Sequence, residues 1–113
     1  MGVVLAVVGF AAAAGIGALG RAYVIESLNT TEFPVGTLVV NAGGSLLAGI
    51  AASRVPNWAA TIVGVAALGS FTTFSTFADE AVVMWARRRA GAAAYVLATV
   101  VSAVGAAYLG LGL

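Results

Sequence analysis

The amino-acid sequence predicts an all-α membrane protein with four transmembrane helices. Hydrophobic residues make up 62% of the chain and charged residues only 8%. The mean hydropathy of +1.09 lies outside the usual range of soluble domains. The 113 residues suffice for four crossings of about 20 residues each and little else. Each crossing is expected to be helical, because an apolar segment in lipid must satisfy its own backbone hydrogen bonds.

Four apolar stretches divide the chain, which we interpret as a single transmembrane unit over residues 1–113. They cover residues 3–19, 35–53, 58–85 and 90–113. The first stretch lacks a basic leader and three more follow it, so a mature helix is expected rather than a signal peptide. Pro56 marks a tight turn, and Trp58 and Trp85 stand at the ends of the third stretch, where interfacial aromatic residues belong. The pattern predicts a multi-pass protein of the cell membrane.

The third stretch contains a polar run, GSFTTFSTFADE at residues 69–80, that a simple membrane span should not carry. Its hydroxyl side chains can compete for backbone hydrogen bonds, and Gly69 lowers the free energy needed to leave helical geometry. The run therefore predicts a helix that is broken near residues 69–76. Broken helices at membrane depth are buried in protein or line a watery or ionic path. The break thus favours a transport function.

Small residues recur at every fourth position in two stretches, which favours close helix packing. They are Gly9, Ala13 and Gly17 in the first stretch and Ala90, Ala94, Ala98, Ser102, Ala106 and Gly110 in the last. Most are expected to pack helices within the chain, and the alternative is that one ladder faces a second copy. Four thin helices enclose little volume, so a pore is expected to need a partner chain.

Three side chains in the apolar stretches are suited to a small anion. Asn41 offers an amide donor in the second stretch, although it is equally interpreted as a hydrogen-bonding link between helices. Phe74 and Phe77 are three residues apart and share one helix face. Such a pair is most often simple packing, but its ring edges carry positive partial charge that contacts an anion without trapping it.

A strip of hydroxyl groups follows in the fourth stretch, formed by Tyr95, Thr99 and Ser102. One interpretation is bonding of the Ser and Thr side chains to their own helix. The other is a track that replaces the water shell of an anion. Arg21 lies just beyond the first stretch, either as an interfacial snorkelling side chain or as an anion-attracting charge in a vestibule.

Composition excludes several classes of function. The net charge is +1, and the chain has no cysteine and no histidine. A basic nucleic-acid surface, thiolate chemistry and imidazole metal ligands are therefore not expected. Asp79 and Glu80 are adjacent and diverge by about 100° on a helix, which makes them a poor acid and base pair. Glu80 is expected to pair with an arginine or to satisfy a helix end. An enzyme is not expected.

Three segments resemble the signature segments of the Fluc (CrcB-type) fluoride ion channels. They are GIGALGRAY, FPVGTLVVNAGGSLLAG and GSFTTFSTFADE, and the similarity covers the whole chain in order and length. The resemblance implies a four-helix subunit of an antiparallel dimer with two fluoride paths and a central structural sodium ion. Ser70 and Ala103 depart from the family pattern, where a second glycine and a further hydroxyl are common.

The resemblance also implies roles for individual residues. Phe74 and Phe77 would be the aromatic pair of the path, and Asn41 its amide donor. Tyr95 and Thr99 would belong to the hydroxyl track, with Ser102 as a neighbour that points to a different side. The backbone carbonyls of Gly69 and Thr72, repeated by the partner, would hold the sodium ion.

The function expected on these grounds is passive export of cytoplasmic fluoride, which gives fluoride resistance. Two alternatives stay open, namely a small proton-coupled efflux transporter and a non-conducting membrane assembly subunit. Three arginines, at positions 87–89, lie in one link, and Arg54 lies on the opposite side. The positive-inside rule therefore favours one orientation. This bias predicts a related partner of opposite orientation, although a dimer of the chain with itself is the alternative.

Overall fold

A computed structural model describes residues 2–30, 32–54, 57 and 61–113, without the side chains of residues 61, 63 and 65. Its helices are α1 (Gly2–Leu28), α2 (Val35–Arg54), a π-helical segment (Thr61–Leu68), α3 (Gly69–Phe71), α4 (Ser75–Arg87) and α5 (Arg89–Gly112). No strand occurs in the described ranges, so the all-α prediction is confirmed. The predicted turn at Pro56 and the interfacial Trp58 lie outside the described residues.

Three helices, α1, α2 and α5, are long and apolar enough to cross a membrane. The third predicted stretch has a different form, because it is divided among the π-helical segment, α3 and α4. Residues 72–74 separate α3 from α4 and are not helical. The polar run thus lies where regular helix stops and starts again.

Helix α1 extends beyond the apolar stretch that predicts it. Hydropathy predicts a span ending at Leu19, whereas the helix ends at Leu28. Arg21 and Glu26 therefore lie within the helix. A charged side chain does not interrupt the backbone hydrogen bonds, so the helix can continue beyond the apolar stretch. The connection to α2 is correspondingly short. It contains a turn in which the Thr30 hydroxyl and the Phe33 backbone bond to each other.

The start of α2 is fixed by the end of α1. The Asn29 Oδ1 atom accepts a hydrogen bond from the Thr37 backbone N–H at 3.1 Å, which satisfies a donor that the first turn of a helix leaves free. A Cβ atom on Gly36 would lie 2.7 Å from Ile25 Cα. Only glycine therefore permits the two helices to approach this closely.

Helices α2 and α5 pack along a seam that contains two facing glycines. A Cβ atom on Gly110 would overlap the Leu46 carbonyl oxygen, and one on Gly49 would overlap the Ala107 carbonyl oxygen. The end of the α5 ladder at Gly110 therefore packs within the chain. Ala90 and Ala94, at its other end, are exposed.

The buried core is small and partly polar. Tyr95, Val40 and Thr37 are the largest fully buried side chains of the described residues. Many large apolar side chains on α1 and α5 are exposed in the single chain. This is the surface expected of helices that face lipid or another subunit.

Candidate functional site

The polar run builds a short non-helical segment between two helix ends. The Leu68 carbonyl accepts hydrogen bonds from the Thr72 backbone N–H at 2.9 Å and from the Thr72 hydroxyl at 3.0 Å. Thr72 itself is extended, with φ −77° and ψ 160°. The Thr73 hydroxyl then accepts the Thr76 backbone N–H at 3.2 Å. Two neighbouring threonines thus end α3 and begin α4.

Asn41 on α2 holds this segment by pairing with the backbone of Thr73. The Asn41 Nδ2 atom donates to the Thr73 carbonyl at 3.0 Å, and the Thr73 N–H donates to Asn41 Oδ1 at 2.8 Å. Both residues are 9% exposed, so water cannot readily replace either hydrogen bond. Asn41 therefore does act as a link between elements. Its amide has a second N–H, so this link leaves one donor to spare.

Two backbone carbonyls of the segment are released from helical hydrogen bonding. In a continuous helix, Gly69 and Thr72 would accept from the N–H groups of Thr73 and Thr76. Those two N–H groups bond instead to Asn41 and to the Thr73 hydroxyl. Among the described residues, the Gly69 carbonyl receives only the Thr72 hydroxyl at 3.5 Å, and the Thr72 carbonyl receives no donor. In the described part of the chain, the Thr72 oxygen therefore has no donor, and the Gly69 oxygen keeps one long hydrogen bond.

Helix α2 approaches the segment closely because Gly44 has no side chain. A Cβ atom at Gly44 would overlap the Thr72 Cγ2 methyl group and would lie 3.3 Å from the Phe71 ring. Gly44 of the second signature segment thus makes room for Thr72 of the third. This contact holds Thr72 against α2.

A cavity of about 390 Å³ adjoins the segment. It brings together five residues predicted from the sequence, Asn41, Thr72, Phe74, Phe77 and Thr99, and adds Ser45 from α2. The Phe74 and Phe77 ring centroids are 6.1 Å apart. Phe74 is 79% exposed, so the cavity lacks a wall on that side of the single chain.

A second polar cluster lies next to the cavity and is centred on Tyr95. The Tyr95 ring is fully buried, and its centroid is 5.3 Å from that of Phe77. The Tyr95 hydroxyl donates to Glu80 Oε1 at 3.2 Å, and Asn29 Nδ2 donates to Glu80 Oε2 at 2.9 Å. Glu80 therefore bonds to two neutral donors. Neither of these two contacts involves an arginine or a helix end, so the expectation that Glu80 pairs with an arginine or satisfies a helix end stays a prediction.

Two buried hydroxyl groups in this cluster have no hydrogen-bond partner among the described residues. They belong to Thr37 on α2 and Thr99 on α5, and both side chains lie against the Tyr95 phenol. Thr37 is fully buried and Thr99 is 5% exposed. An orphaned buried hydroxyl is unfavourable by about 1–3 kcal/mol. Two such hydroxyls beside one phenol can donate to the Tyr95 oxygen or to a small polar species next to it.

Four predicted site residues do not line the cavity, namely Arg21, Gly69, Tyr95 and Ser102. The Ser102 hydroxyl donates to the Thr99 carbonyl at 3.2 Å, and Ser102 does not line the cavity, whereas its neighbour Ala103 does. Arg21 is half-buried on α1 and is also absent from the cavity lining. The hydroxyl strip of α5 therefore reaches the site through Tyr95 and Thr99.

Sequence reasoning missed three residues of the site. Thr37 lies four positions before Asn41, on the same face of α2, and this spacing is the signal that could have found it. Ser45 lies four positions after Asn41 on that face. Asn29 carries no such signal, because its bond to Glu80 joins residues 51 positions apart. Only the approach of the α1–α2 connection to α4 reveals it.

The two clusters together offer neutral donors and aromatic rings. No arginine lines the cavity around Asn41, and hydroxyl, amide and ring groups supply its polarity. Such groups attract an anion weakly enough to release it. The arrangement is suited to passage of a small anion.

Residues 6–111 match a family model described as CrcB-like protein, Camphor Resistance (CrcB). The chain is 42% identical over 106 residues to the fluoride-specific ion channel FluC 2 of Haloarcula marismortui, covering 90% of this chain and 84% of the relative. It is 39% identical over 105 residues to FluC of Paracoccus denitrificans, covering 84% and 85%. It is 36% identical over 116 residues to FluC of Vibrio cholerae, covering 93% and 92%.

Proposed function

This chain belongs to the CrcB family of membrane proteins, and we propose that it is a subunit of a fluoride-selective ion channel. Its relatives from Haloarcula, Paracoccus and Vibrio are named fluoride-specific ion channels. The observation that carries the proposal is the pair of buried hydroxyls of Thr37 and Thr99 that meet beside the Tyr95 phenol. They lie beside a cavity lined by ring edges and an amide. The proposed role in the cell is passive export of fluoride across the plasma membrane.

Fluoride is small and strongly hydrated, so a selective path must replace its water with closely spaced donors and exclude chloride by width. The proposed path runs from Asn41 past Phe74 and Phe77 to Thr99 and Tyr95. Hydroxyl and amide groups supply hydrogen bonds, and ring edges supply weak positive charge. A buried arginine would bind the anion too tightly to let it leave. Tyr95 enters the path through its ring, whose centroid is 5.3 Å from that of Phe77, because its hydroxyl donates to Glu80. Ser102 is left out of the path, because its hydroxyl donates to the Thr99 carbonyl and it has no ring.

The proposed channel is an antiparallel dimer with two paths. The 79% exposure of Phe74 supports this, because a ring beside a polar cavity in a membrane protein needs a further wall. Arg21 is proposed to attract anions to a vestibule between the two chains. A dimer also supplies the volume that one thin bundle lacks.

A structural sodium ion is proposed at the dimer centre, held by the Gly69 and Thr72 carbonyls of both subunits. Their release from helical bonding supports this, because hard carbonyl oxygens suit such a cation. When bound, the ion supplies a fixed positive charge near the paths. The chain itself supplies the release, through Asn41 and the Thr73 hydroxyl.

Fluoride efflux from liposomes that contain only the purified protein tests the function. Liposomes loaded with potassium fluoride are treated with a potassium ionophore, and a fluoride electrode records efflux. We expect rapid fluoride release and far slower chloride release from matched chloride-loaded vesicles. Equal release of both anions, or none above protein-free vesicles, contradicts the proposal.

One contact favours a second candidate, a proton-coupled fluoride transporter. Glu80 is half-buried and bonds to Tyr95 at 3.2 Å, which places a carboxyl group beside the proposed path. The same assay separates the two candidates. A channel dissipates fluoride without a proton gradient and with a protonophore present, whereas a transporter links the two fluxes. If the fluoride and proton fluxes are linked, Glu80→Gln should abolish the linkage.

The partner is proposed to be a related subunit inserted the other way up. The basis is the excess of arginine at positions 87–89 over Arg54 on the opposite side, which favours one orientation. A tag at the C-terminus, probed from each side of the membrane when the chain is expressed alone, tests it. We expect one dominant orientation. A near-even split, together with fluoride flux from the lone chain, would instead establish a dimer of this chain with itself.

A further inference from the structure

Four aromatic rings form a continuous series from the non-helical segment to the connection between α1 and α2. Beyond Phe74, Phe77 and Tyr95, the series ends at Phe33. The Phe33 and Tyr95 ring centroids are 5.4 Å apart, and the planes are at 86°, an edge-to-face arrangement. Phe33 thus extends the proposed path by one ring beyond the residues assigned to it so far.

Phe33 is held in place independently of its ring. The Thr30 hydroxyl accepts the Phe33 backbone N–H at 3.0 Å and donates to the Phe33 carbonyl at 2.9 Å. The Thr30 and Val35 backbone N–H groups also donate to that carbonyl, at 3.2 and 2.9 Å. A connection with this many local bonds presents the ring in one position.

Two cavities lie on the outer side of Phe33. One, of about 220 Å³, is lined by Phe33 together with Glu80 and Arg87. The other, of about 460 Å³, is lined by Phe33, Arg87 and Arg88. Glu32 lines both cavities, and Asp79 lines the first. Phe33 and Glu80, which both contact Tyr95, therefore lie between the Tyr95 ring and a region that carries charges of both signs.

We propose that Phe33 is a further residue of the anion path and forms its outermost ring, between the Tyr95 cluster and the charged cavities. This inference rests on the proposed channel function. A ring here keeps bulk water and the outer carboxylates of Glu32 and Asp79 away from the orphaned hydroxyls. Its edge still offers weak attraction to an anion that leaves Tyr95. Thr30 is a positioning residue that holds this ring.

Fluoride efflux is measured for wild type, Phe33→Leu, Phe33→Tyr and Thr30→Val in liposomes. Phe33→Leu removes the ring and keeps most of the apolar volume, so flux should fall roughly three- to tenfold. Phe33→Tyr keeps the ring and should conduct nearly as wild type does. Thr30→Val keeps the Phe33 ring but removes two hydrogen bonds that hold the Phe33 backbone, so a smaller fall in flux is expected. Phe10→Leu is the matched control, because Phe10 is 40% exposed on α1 and remote from the ring series.

Thermal unfolding and oligomeric state are measured on the same samples. Normal flux in Phe33→Leu overturns the inference. A fall in flux that is matched by lower thermal stability or by dissociation also overturns it, because Phe33 would then serve packing alone. Lower flux with unchanged stability, together with conducting Phe33→Tyr, supports it. Failure of the wild type to conduct fluoride is a separate result, which overturns the channel function itself.

Discussion

The α2–α5 seam and the segment around residues 72–77 differ in how completely one chain satisfies them. At the seam, Gly49 and Gly110 bring two backbones into direct contact, and no side chain is left to pair. At the segment, two backbone carbonyls are released, and Phe74 is largely exposed. The contacts of the seam lie within one chain, whereas the segment leaves carbonyl oxygens and a ring to be covered by the proposed ions and partner.

This difference separates stability from function along the sequence. Close contact at the seam is expected to determine whether the helices associate at all. The open segment contributes little packing, and its polar groups are unfavourable until they are occupied. Substitutions in the two regions should therefore have distinct effects, on folding in one case and on flux in the other.

The largest effect is expected from Gly110→Ala at the seam. The added methyl overlaps the Leu46 carbonyl oxygen, which is backbone and cannot turn aside, so the helices must separate. We expect a loss of stability of about 1–3 kcal/mol or more, measured by thermal unfolding and by the yield of monodisperse protein. Gly105→Ala on the same helix is the control, because nothing lies within 4 Å of its Cβ position. Equal stability of the two variants would show that the seam is not tight.

The next effect is expected from Asn41→Asp. Asp keeps an acceptor for the Thr73 N–H but loses the donor to the Thr73 carbonyl, and its negative charge repels an anion in the cavity. Fluoride flux should fall by about a hundredfold or more, because a lost donor and a repelling carboxylate together raise the barrier for the anion by several kcal/mol in a site that excludes water. Ser45→Ala, in the same cavity, is the comparison and should conduct far better. Conduction at the wild-type rate in Asn41→Asp would remove Asn41 from the path.

Phe77→Ile should lower fluoride flux roughly tenfold while folding is retained. The substitution keeps apolar volume but removes the ring between Phe74 and Tyr95. Phe74→Ile should act in the same direction. Efflux and size-exclusion chromatography are measured together, with Phe10→Ile as the control. If flux falls only in samples that have dissociated or unfolded, the rings serve packing.

The smallest and sharpest effect is expected from Thr99→Val. It replaces an orphaned buried hydroxyl with a methyl group of similar size. Stability should stay the same or rise by about 1 kcal/mol, whereas fluoride flux should fall severalfold because a donor is lost. If the Thr99 hydroxyl has only a structural role, fluoride flux should not change. Thr37→Val provides an independent repeat on α2, since its hydroxyl is orphaned in the same cluster.

Much of the site could be predicted from residue types and spacing. Asn41, Phe74, Phe77 and Thr99 line one cavity, as their positions in apolar stretches indicated. The resemblance carried by the three signature segments is confirmed by the family match over residues 6–111. The first span predicted from hydropathy ends at Leu19, whereas helix α1 continues to Leu28, because hydropathy reports contact with lipid and not the length of a helix.

The sequence by itself determined the helical membrane class, the family, and the place where the third stretch leaves helical geometry. These properties follow from composition and from residues within a few positions of one another. Only the tertiary structure decided that Asn41 pairs with Thr73, 32 positions away, and that Asn29 reaches Glu80 across 51 positions. It also decided that Thr37 and Thr99 meet around Tyr95 without partners. Hydropathy and helical periodicity describe one helix at a time, whereas these partners are set by the close approach of separate helices.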